Sequence, residues 1–135
     1  MRKLNRKTIA GAFAACVAVF AMHALYAQQP AFKRTVLQRA DLSAPGREGV
    51  TALVEIPPGA AVGRHTHFGE EIGYVIEGTL LLEVEGKPPV TLAAGDAYIV
   101  AAGKVHDGRN VGGVAGRIVA TFVVEKGKPF ATPLP

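Results

Sequence analysis

The sequence predicts an all-β fold for residues 28–135, and three observations lead to this prediction. This region contains 15 of the 16 glycines and all nine prolines. From residue 50 onward, no stretch free of glycine and proline exceeds ten residues, which suits strands and leaves little room for a typical helix of about 11 residues. The stretches are rich in valine, isoleucine, leucine, threonine and aromatic residues, as strands are.

Glycine-containing turns separate the predicted strands. Gly86 marks a hairpin, Gly95 marks the next turn, and a glycine pair precedes the last long strand. The predicted strands cover residues 50–56, 72–76, 80–84, 90–92, 97–100, 105–111 and 117–124. Short strands at this spacing indicate a sandwich or barrel. Segment 31–44 has room for a helix but 35–39 fits a strand as well, and the proline-rich tail 126–135 is expected to be extended.

The first 27 residues predict a secretory signal peptide. Four basic residues stand at positions 2, 3, 6 and 7, an apolar run follows over residues 9–27, and Ala27-Gln28 suits cleavage. An uncleaved anchor is the alternative, because the run is nearly long enough to span a bilayer, but its alanine-rich composition is weakly apolar. Arg6-Lys7 departs from a twin-arginine pair, so the Sec pathway is the expected route. We expect an exported, periplasmic protein without a stable membrane anchor.

The charge distribution argues against nucleic-acid binding. The chain has 15 Lys and Arg against 11 Asp and Glu, a formal net charge of +4. The four surplus basic residues lie in the predicted signal peptide, so residues 28–135 carry 11 charges of each sign. A neutral domain lacks the basic footprint of a nucleic-acid-binding protein. Cys16, the single cysteine, also lies in the signal peptide, so the exported domain must depend on its core or on a metal rather than on disulfides.

Three histidines after the signal peptide predict a metal site. His65 and His67 are two residues apart, so on a strand both imidazoles point to one face. Glu71 follows beyond a glycine, and a closed β topology can bring His106 beside the first pair. Three imidazoles and one carboxylate suit a divalent transition metal, whereas Ca²⁺ and Mg²⁺ prefer oxygen ligands and a zinc finger needs thiolates. The expected ion is Mn²⁺, Fe²⁺, Ni²⁺ or Zn²⁺.

Two motifs in this region resemble those of the cupin superfamily. The fixed positions of the first cupin motif are occupied by Gly59, His65, His67, Glu71 and Gly78. Those of the second motif are occupied by Gly95, Gly103, His106 and Asn110. Cupins usually have a proline where this chain has Ala101, a position that shapes a turn and binds nothing. The resemblance implies a single-domain jelly-roll β-barrel over residues 28–135, with the metal held inside by the three histidines and Glu71.

Neighbours of the predicted ligands receive other roles. Spacing favours Glu71 over Glu70 as the carboxylate ligand. Asn110 is expected to satisfy a turn rather than to bind a ligand, and Tyr74 to belong to the core between the barrel and its exterior. The basic residues that flank the histidines are expected to be solvated rather than to clamp a substrate; they are Arg64, Lys104 and Arg109.

The predicted site is compatible with functions of different classes. Four protein ligands on a six-coordinate ion leave about two positions for water, O₂ or a bidentate substrate. The first hypothesis is a metal-dependent oxidoreductase of dioxygenase type that acts on a small organic molecule. The second is a non-catalytic module that binds a small molecule or a metal, because few residues near the site could act as acid or base; Glu70 is the one nearby carboxylate that could. A closed structural Zn²⁺ site is the third. A homodimer through edge strands is also expected, with 31–38 or 114–124 as the edge.

Overall fold

A computed structural model describes residues 32–135, which form ten β-strands and no helix. In chain order the strands are β1 (Lys33–Asp41), β2 (Arg47–Ile56), β3 (His65–Thr66), β4 (Gly69–Glu77), β5 (Thr79–Val84), β6 (Val90–Ala93), β7 (Ala97–Val100), β8 (His106–Asn110), β9 (Gly116–Glu125) and β10 (Thr132–Pro133). They form two five-stranded antiparallel sheets around a shared apolar core, which confirms the predicted all-β jelly roll. The predicted signal peptide lies outside the described residues.

The first sheet has the order β1-β2-β9-β4-β7 and supplies most of the core. Strands β2 and β9 are ten residues each and pair along their full length, from Arg47 opposite Glu125 to Ile56 opposite Gly116. Every second residue of β9 is buried, because successive side chains of a strand point to opposite faces. The largest of these buried side chains is Phe122, at the centre of the sandwich.

The second sheet has the order β10-β3-β8-β5-β6 and is built from shorter strands. Strand β3 has two residues, and it pairs with β8 through His65 and His106 alone. Two further pairs join β3 to β10 at the sheet edge. This end of the sheet is therefore held by few backbone hydrogen bonds, and it carries two of the predicted ligands.

Most strand predictions are confirmed. Each segment predicted as a strand from residue 50 onward overlaps one of β2 and β4–β9. The ambiguous segment 31–44 forms strand β1 rather than a helix, and the tail contains the short edge strand β10. No helix that could span a membrane is found among residues 32–135.

One prediction about the sheet edges is wrong. Segment 114–124 was expected to offer an exposed edge, but it forms most of β9, which lies between β2 and β4. Both sides of β9 are paired, so its backbone has no edge for another chain to join. Strand β1, by contrast, lies at the edge of the first sheet, as expected for segment 31–38.

Candidate metal centre

The four predicted ligands come from both sheets and meet between them. His65 of β3 is paired directly with His106 of β8, and His67 follows β3 by one residue. Glu71 lies on β4 of the opposite sheet, on the inward face of that strand. All four side chains are buried, with exposed fractions of 3–7%. Glu71 and His106, which are 35 residues apart in the chain, thus share one space inside the sandwich.

The four ligand atoms converge closely. Nε2 of His65 and Nε2 of His67 are 3.1 Å apart. Oε2 of Glu71 lies 3.1 Å from Nε2 of His67 and 3.0 Å from Nε2 of His106. All four atoms lie within 4.8 Å of one another. Such separations suit donor atoms that share one ion, because nitrogen and carboxylate ligands bind transition metals at about 2.0–2.2 Å.

The histidine rings are oriented by backbone carbonyls. Nδ1–H of His65 donates to the Gly63 carbonyl at 2.7 Å, that of His67 donates to Phe130 at 2.7 Å, and that of His106 donates to Lys104 at 2.9 Å. A carbonyl only accepts, so each ring carries its hydrogen on Nδ1, and a neutral ring leaves a lone pair on Nε2. Three lone pairs and a carboxylate oxygen then face one another. This arrangement needs a cation between them, and the donor set fits a divalent transition metal.

The Glu71 carboxylate is held by a tyrosine from the neighbouring strand. The hydroxyl of Tyr98 donates to Oε1 of Glu71 at 2.6 Å, which leaves Oε2 to face the histidines. Gly73, paired with Tyr98 across β4 and β7, makes room for the phenol ring. A Cβ at residue 73 would lie 2.2 Å from two ring carbons of Tyr98. Any side chain at residue 73 would therefore displace the tyrosine from Glu71.

The pKa shifts of the four-residue cluster indicate which side chains hold a proton when no metal is bound. Burial would raise the pKa of Glu71, but hydrogen bonds from His106, His67 and Tyr98 outweigh it and lower the pKa well below the usual range. Burial acts to lower the pKa of His106, yet the hydrogen bond to Glu71 raises it overall. Burial also lowers the pKa of His65 to about 4. In the metal-free site these shifts keep Glu71 ionised and His65 neutral, and they favour a proton on His106 beside Glu71.

Aromatic rings and a tight turn fix His67. Its ring lies 4.8 Å from the ring of Phe122 and 5.6 Å from that of Phe130, measured between centroids. The backbone N–H of Gly103 donates to the His67 carbonyl at 3.0 Å, and Gly103 has a φ of 71°, a conformation that L side chains rarely adopt. The loop before His106 and the C-terminal segment thus both position this imidazole.

Comparison with known proteins identifies the family of this chain. The Cupin domain family matches residues 52–127, which is more than half of the chain. The chain belongs to the cupin family. The curated oxalate-binding protein of Thermotoga maritima is 34% identical to this cupin over 74 residues, which cover 54% of this chain and 60% of that protein. The cupin described here therefore spans less than two thirds of that relative's length.

Solved structures share the fold of this cupin. A protein with a double-stranded β-helix domain from Klebsiella pneumoniae gives a TM-score of 0.63 at 23% identity, covering 80% of this chain and 89% of that one. Oxalate oxidase in complex with the substrate analogue glycolate gives 0.61 at 22% identity, covering 77% and 61%. Identities this low establish a common fold and nothing further.

The structure shows the positions of the residues that neighbour the predicted ligands. Glu70 points to the opposite face of β4 from Glu71 and is only partly buried. Asn110, 1% exposed, donates to the carbonyls of Ile56 and Val114 and accepts from the N–H of Gly112, so its amide ties turns together, as predicted. Arg64, Lys104 and Arg109 are exposed, also as predicted.

The assignment of Tyr74 to the core is wrong. Tyr74 is 49% exposed, because it alternates with the inward residues Gly73 and Val75 of β4 and so points outward. Sequence reasoning instead left Tyr98 and Arg34 without a role, although both line the same small cavity as His65 and His106. For Tyr98, the available signal was its alternation with Ile99 ahead of the buried Val100. For Arg34, nothing in the local pattern distinguishes it from the other basic residues.

Proposed function

We propose that this cupin binds a divalent transition metal ion, namely Mn²⁺, Fe²⁺, Ni²⁺ or Zn²⁺, through His65, His67, Glu71 and His106. The observation that carries the proposal is the convergence of three Nε2 atoms and a carboxylate oxygen, which are buried and lie within 4.8 Å of one another, while each Nδ1–H is used by a backbone carbonyl. The low pKa of Glu71 and the neutral His65 prepare two of the ligands at neutral pH. Such an ion supplies Lewis acidity or redox chemistry to whatever binds beside it.

We further propose a metal-dependent oxidoreductase of dioxygenase type, acting on a small organic molecule. A cavity of about 30 Å³ adjoins His65, Glu71 and His106 and offers room for a small group beside the ligands. Val54, Ile118 and Phe122 give part of the cavity wall an apolar surface. The fold is shared with oxalate oxidase, so it is compatible with an oxidoreductase. Tyr98 maintains the orientation of Glu71 toward the ion.

A non-catalytic binding function is the second candidate, and a particular observation favours it. The side chains around the cavity offer no free acid or base within the described part of the chain. The hydroxyl of Tyr98 is engaged by Glu71, and burial raises its pKa further from neutrality. Glu70 faces away. The Thermotoga maritima relative is named for oxalate binding and not for a reaction.

Metal content and small-probe binding test the proposal. The protein purified from its own compartment should contain close to one transition-metal ion per chain, measured by elemental analysis. Protein loaded with Fe²⁺ should bind nitric oxide, and protein loaded with Mn²⁺ should bind azide, each with a spectral change. A probe-silent, tetrahedral Zn²⁺ site would reject the open-site proposal. Probe binding without O₂ consumption across phenols, diketones and small organic acids would support the binding function instead.

We also propose export to the periplasm with cleavage after Ala27. The basic start, the apolar run and the Ala27-Gln28 junction support this proposal. The intact mass of the exported protein should correspond to a chain that begins at Gln28, with or without cyclisation of that residue. A mass that retains residues 1–27 would contradict the proposal and favour a membrane anchor.

We propose a homodimer that forms through the edge of strand β1. Strand β1 is an edge of the first sheet, and its Val36 and Leu37 are 50% and 55% exposed. Edge strands pair readily with a second copy. Sedimentation analysis of the exported protein should give twice the monomer mass, and Val36→Lys should shift it toward the monomer.

A further inference from the structure

Arg34 is a charged residue at an inward-facing position of strand β1. It is the one residue of β1 that is not exposed, and it pairs with Val54, whose side chain belongs to the core. Residues paired directly across antiparallel strands point to the same face, so the Arg34 side chain enters the sandwich. A guanidinium that is partly withdrawn from water needs partners that offset its desolvation.

The partners of the Arg34 guanidinium are aromatic rings rather than acids. Its Cζ lies 4.7 Å from the ring centroid of Phe130, 5.4 Å from that of Phe32 and 5.9 Å from that of Phe122. Within residues 32–135, no carboxylate lies within salt-bridge distance of it. Its buried Nε–H has no hydrogen-bond acceptor. The rings hold the cation in place, and a donor remains for an external acceptor.

Glu71 cannot serve as that acceptor without breaking the metal site. The Glu71 charge acts on Arg34 through space, but Oε1 accepts from Tyr98 and Oε2 faces His67 and His106. A divalent ion brings two positive charges, and Glu71 offsets one of them. The ion with its four ligands and Arg34 then carry a net charge of +2 in a buried space. An anion is the natural partner for this charge.

The cavity and its approach suit a small anion. Arg34, His65 and His106 line the same cavity of about 30 Å³, so the guanidinium and the proposed ion face one space. Arg34, Val62 and His65 also line a groove of about 270 Å³ on the outside. Arg64 is a further lining residue of that groove, and none of its described lining residues is acidic. Arg34 thus borders both the cavity and the outer groove, where its charge attracts anions, while the Arg64 guanidinium donates to the oxygen of Pro135.

We propose that Arg34 is the carboxylate-binding residue of this site. The substrate or ligand is then a small organic acid that pairs its carboxylate with Arg34 and turns an oxygen of a second group toward the proposed metal ion. This inference rests on the proposed metal binding. A planar guanidinium pairs with a carboxylate through charge-assisted hydrogen bonds, which also satisfies the unpaired Nε–H. The cavity of about 30 Å³ has room for a group the size of a carboxylate, and the groove has room for the remainder of a small acid such as a 2-hydroxy acid or a dicarboxylic acid.

Glycolate and ethylene glycol form a matched pair of probes, because they differ in the carboxylate alone. Zn²⁺-loaded protein avoids redox turnover during the measurement, and calorimetry gives both affinities. Wild-type protein should bind glycolate at least about tenfold more tightly than ethylene glycol. Arg34→Gln should remove this preference with the Zn²⁺ content unchanged, whereas Arg39→Gln, an exposed arginine of the same strand, should retain it. Arg34→Lys should lose part of it, since lysine lacks the planar fork.

A measurement on the wild-type protein covers the case in which Arg34→Gln does not fold. In ¹⁵N-labelled, Zn²⁺-loaded protein, glycolate should shift the Nε–Hε resonance of Arg34 and leave that of Arg39 in place. An unmoved Arg34 resonance, or a folded Arg34→Gln variant with wild-type glycolate affinity, would overturn the inference alone. Failure of the wild-type protein to take up metal would overturn the proposed function and this inference with it.

Discussion

The two sheets of this cupin differ in how they are built. The first sheet pairs ten-residue strands along their whole length and buries an alternating series of apolar side chains. The second sheet joins its histidine end through two-residue strands and a single His65–His106 pair. Buried polar groups are costly, and the four ligands are buried polar groups. The comparison indicates that the first sheet supplies the stability that permits a costly polar cluster at the end of the second.

The two regions meet at Phe122 and Glu71. Phe122 belongs to the core of the first sheet and its ring contacts His67. Glu71 is the one ligand contributed by the first sheet, so a metal ion would join the sheets as well as the histidines. Substitutions in each region should therefore separate effects on stability from effects on metal binding.

Phe122→Ala is expected to have the largest effect on stability. The ring is 1% exposed, and its removal leaves a core cavity that should lower the free energy of unfolding by about 3–5 kcal/mol. Chemical denaturation of the metal-free protein measures this loss without a contribution from the metal. Ile99→Ala, in the same sheet but 64% exposed, should change it by no more than about 0.5 kcal/mol. A loss below about 1 kcal/mol for Phe122→Ala would mean that the first sheet does not dominate stability.

Alanine in place of any one of His65, His67 or His106 should act mainly on metal binding. Each substitution removes one ligand, and we expect the affinity for metal at neutral pH to fall by at least about 100-fold. Elemental analysis after dialysis measures the retained metal. The free energy of unfolding of the metal-free protein should change less than in Phe122→Ala.

The two adjacent glutamates give a matched control for the fourth ligand. Glu71→Gln should weaken metal binding, because a neutral amide replaces the carboxylate that faces the histidines. Glu70→Gln should not, because its side chain lies on the other face of β4. If Glu70→Gln were the damaging change, the assignment of the carboxylate ligand would be wrong.

Metal affinity should fall as the pH is lowered through the raised pKa of His106. Below that pKa the imidazolium holds a proton on Nε2, and the metal must displace it, so the affinity should drop about tenfold per pH unit. His65, with a pKa of about 4, stays neutral over this range and adds no second proton. Competition titrations between about pH 5 and 8 measure the slope. A metal affinity that does not change with pH would show that the metal displaces no proton from His106.

Protonation of His106 also affects the stability of the metal-free protein, and its dependence on pH is opposite to that of metal affinity. A pKa raised on folding stabilises the protein below the unfolded value of about 6.5. That contribution is lost as the pH rises through the folded pKa of His106. Metal should therefore stabilise the fold most at neutral and higher pH, where the proton no longer substitutes for it.

Tyr98→Phe is expected to have the smallest of these effects. It removes the 2.6 Å hydrogen bond that holds Oε1 of Glu71 and should weaken metal binding about tenfold while the ring still fills its place. Tyr74→Phe is the matched control, because Tyr74 is 49% exposed on the outer face of the same sheet. Equal metal affinity in both variants would show that Tyr98 does not position Glu71.

The sequence alone predicted the strands and the residues of the cluster well, for local reasons. Turn glycines and proline bound each strand, and the spacing of two between His65 and His67 directs both rings inward on extended chain. The choice of Glu71 over Glu70 as the inward carboxylate also follows spacing, and the alternation in β4 agrees with it. The alternation of side chains along a single strand indicates which residues point inward, and it does not depend on which strands pair with it.

Only the tertiary structure decided which further residues surround the cluster and how the strands are ordered. The pairing of Arg34 with Val54 brings a guanidinium inside, and the pairing of Gly73 with Tyr98 brings a hydroxyl to Glu71. The placement of β9 between β2 and β4 removes an edge that its sequence suggested. Each of these depends on pairing between segments at least 20 residues apart. Such pairing is selected by the packing of the whole core, so no local pattern in the chain reveals it.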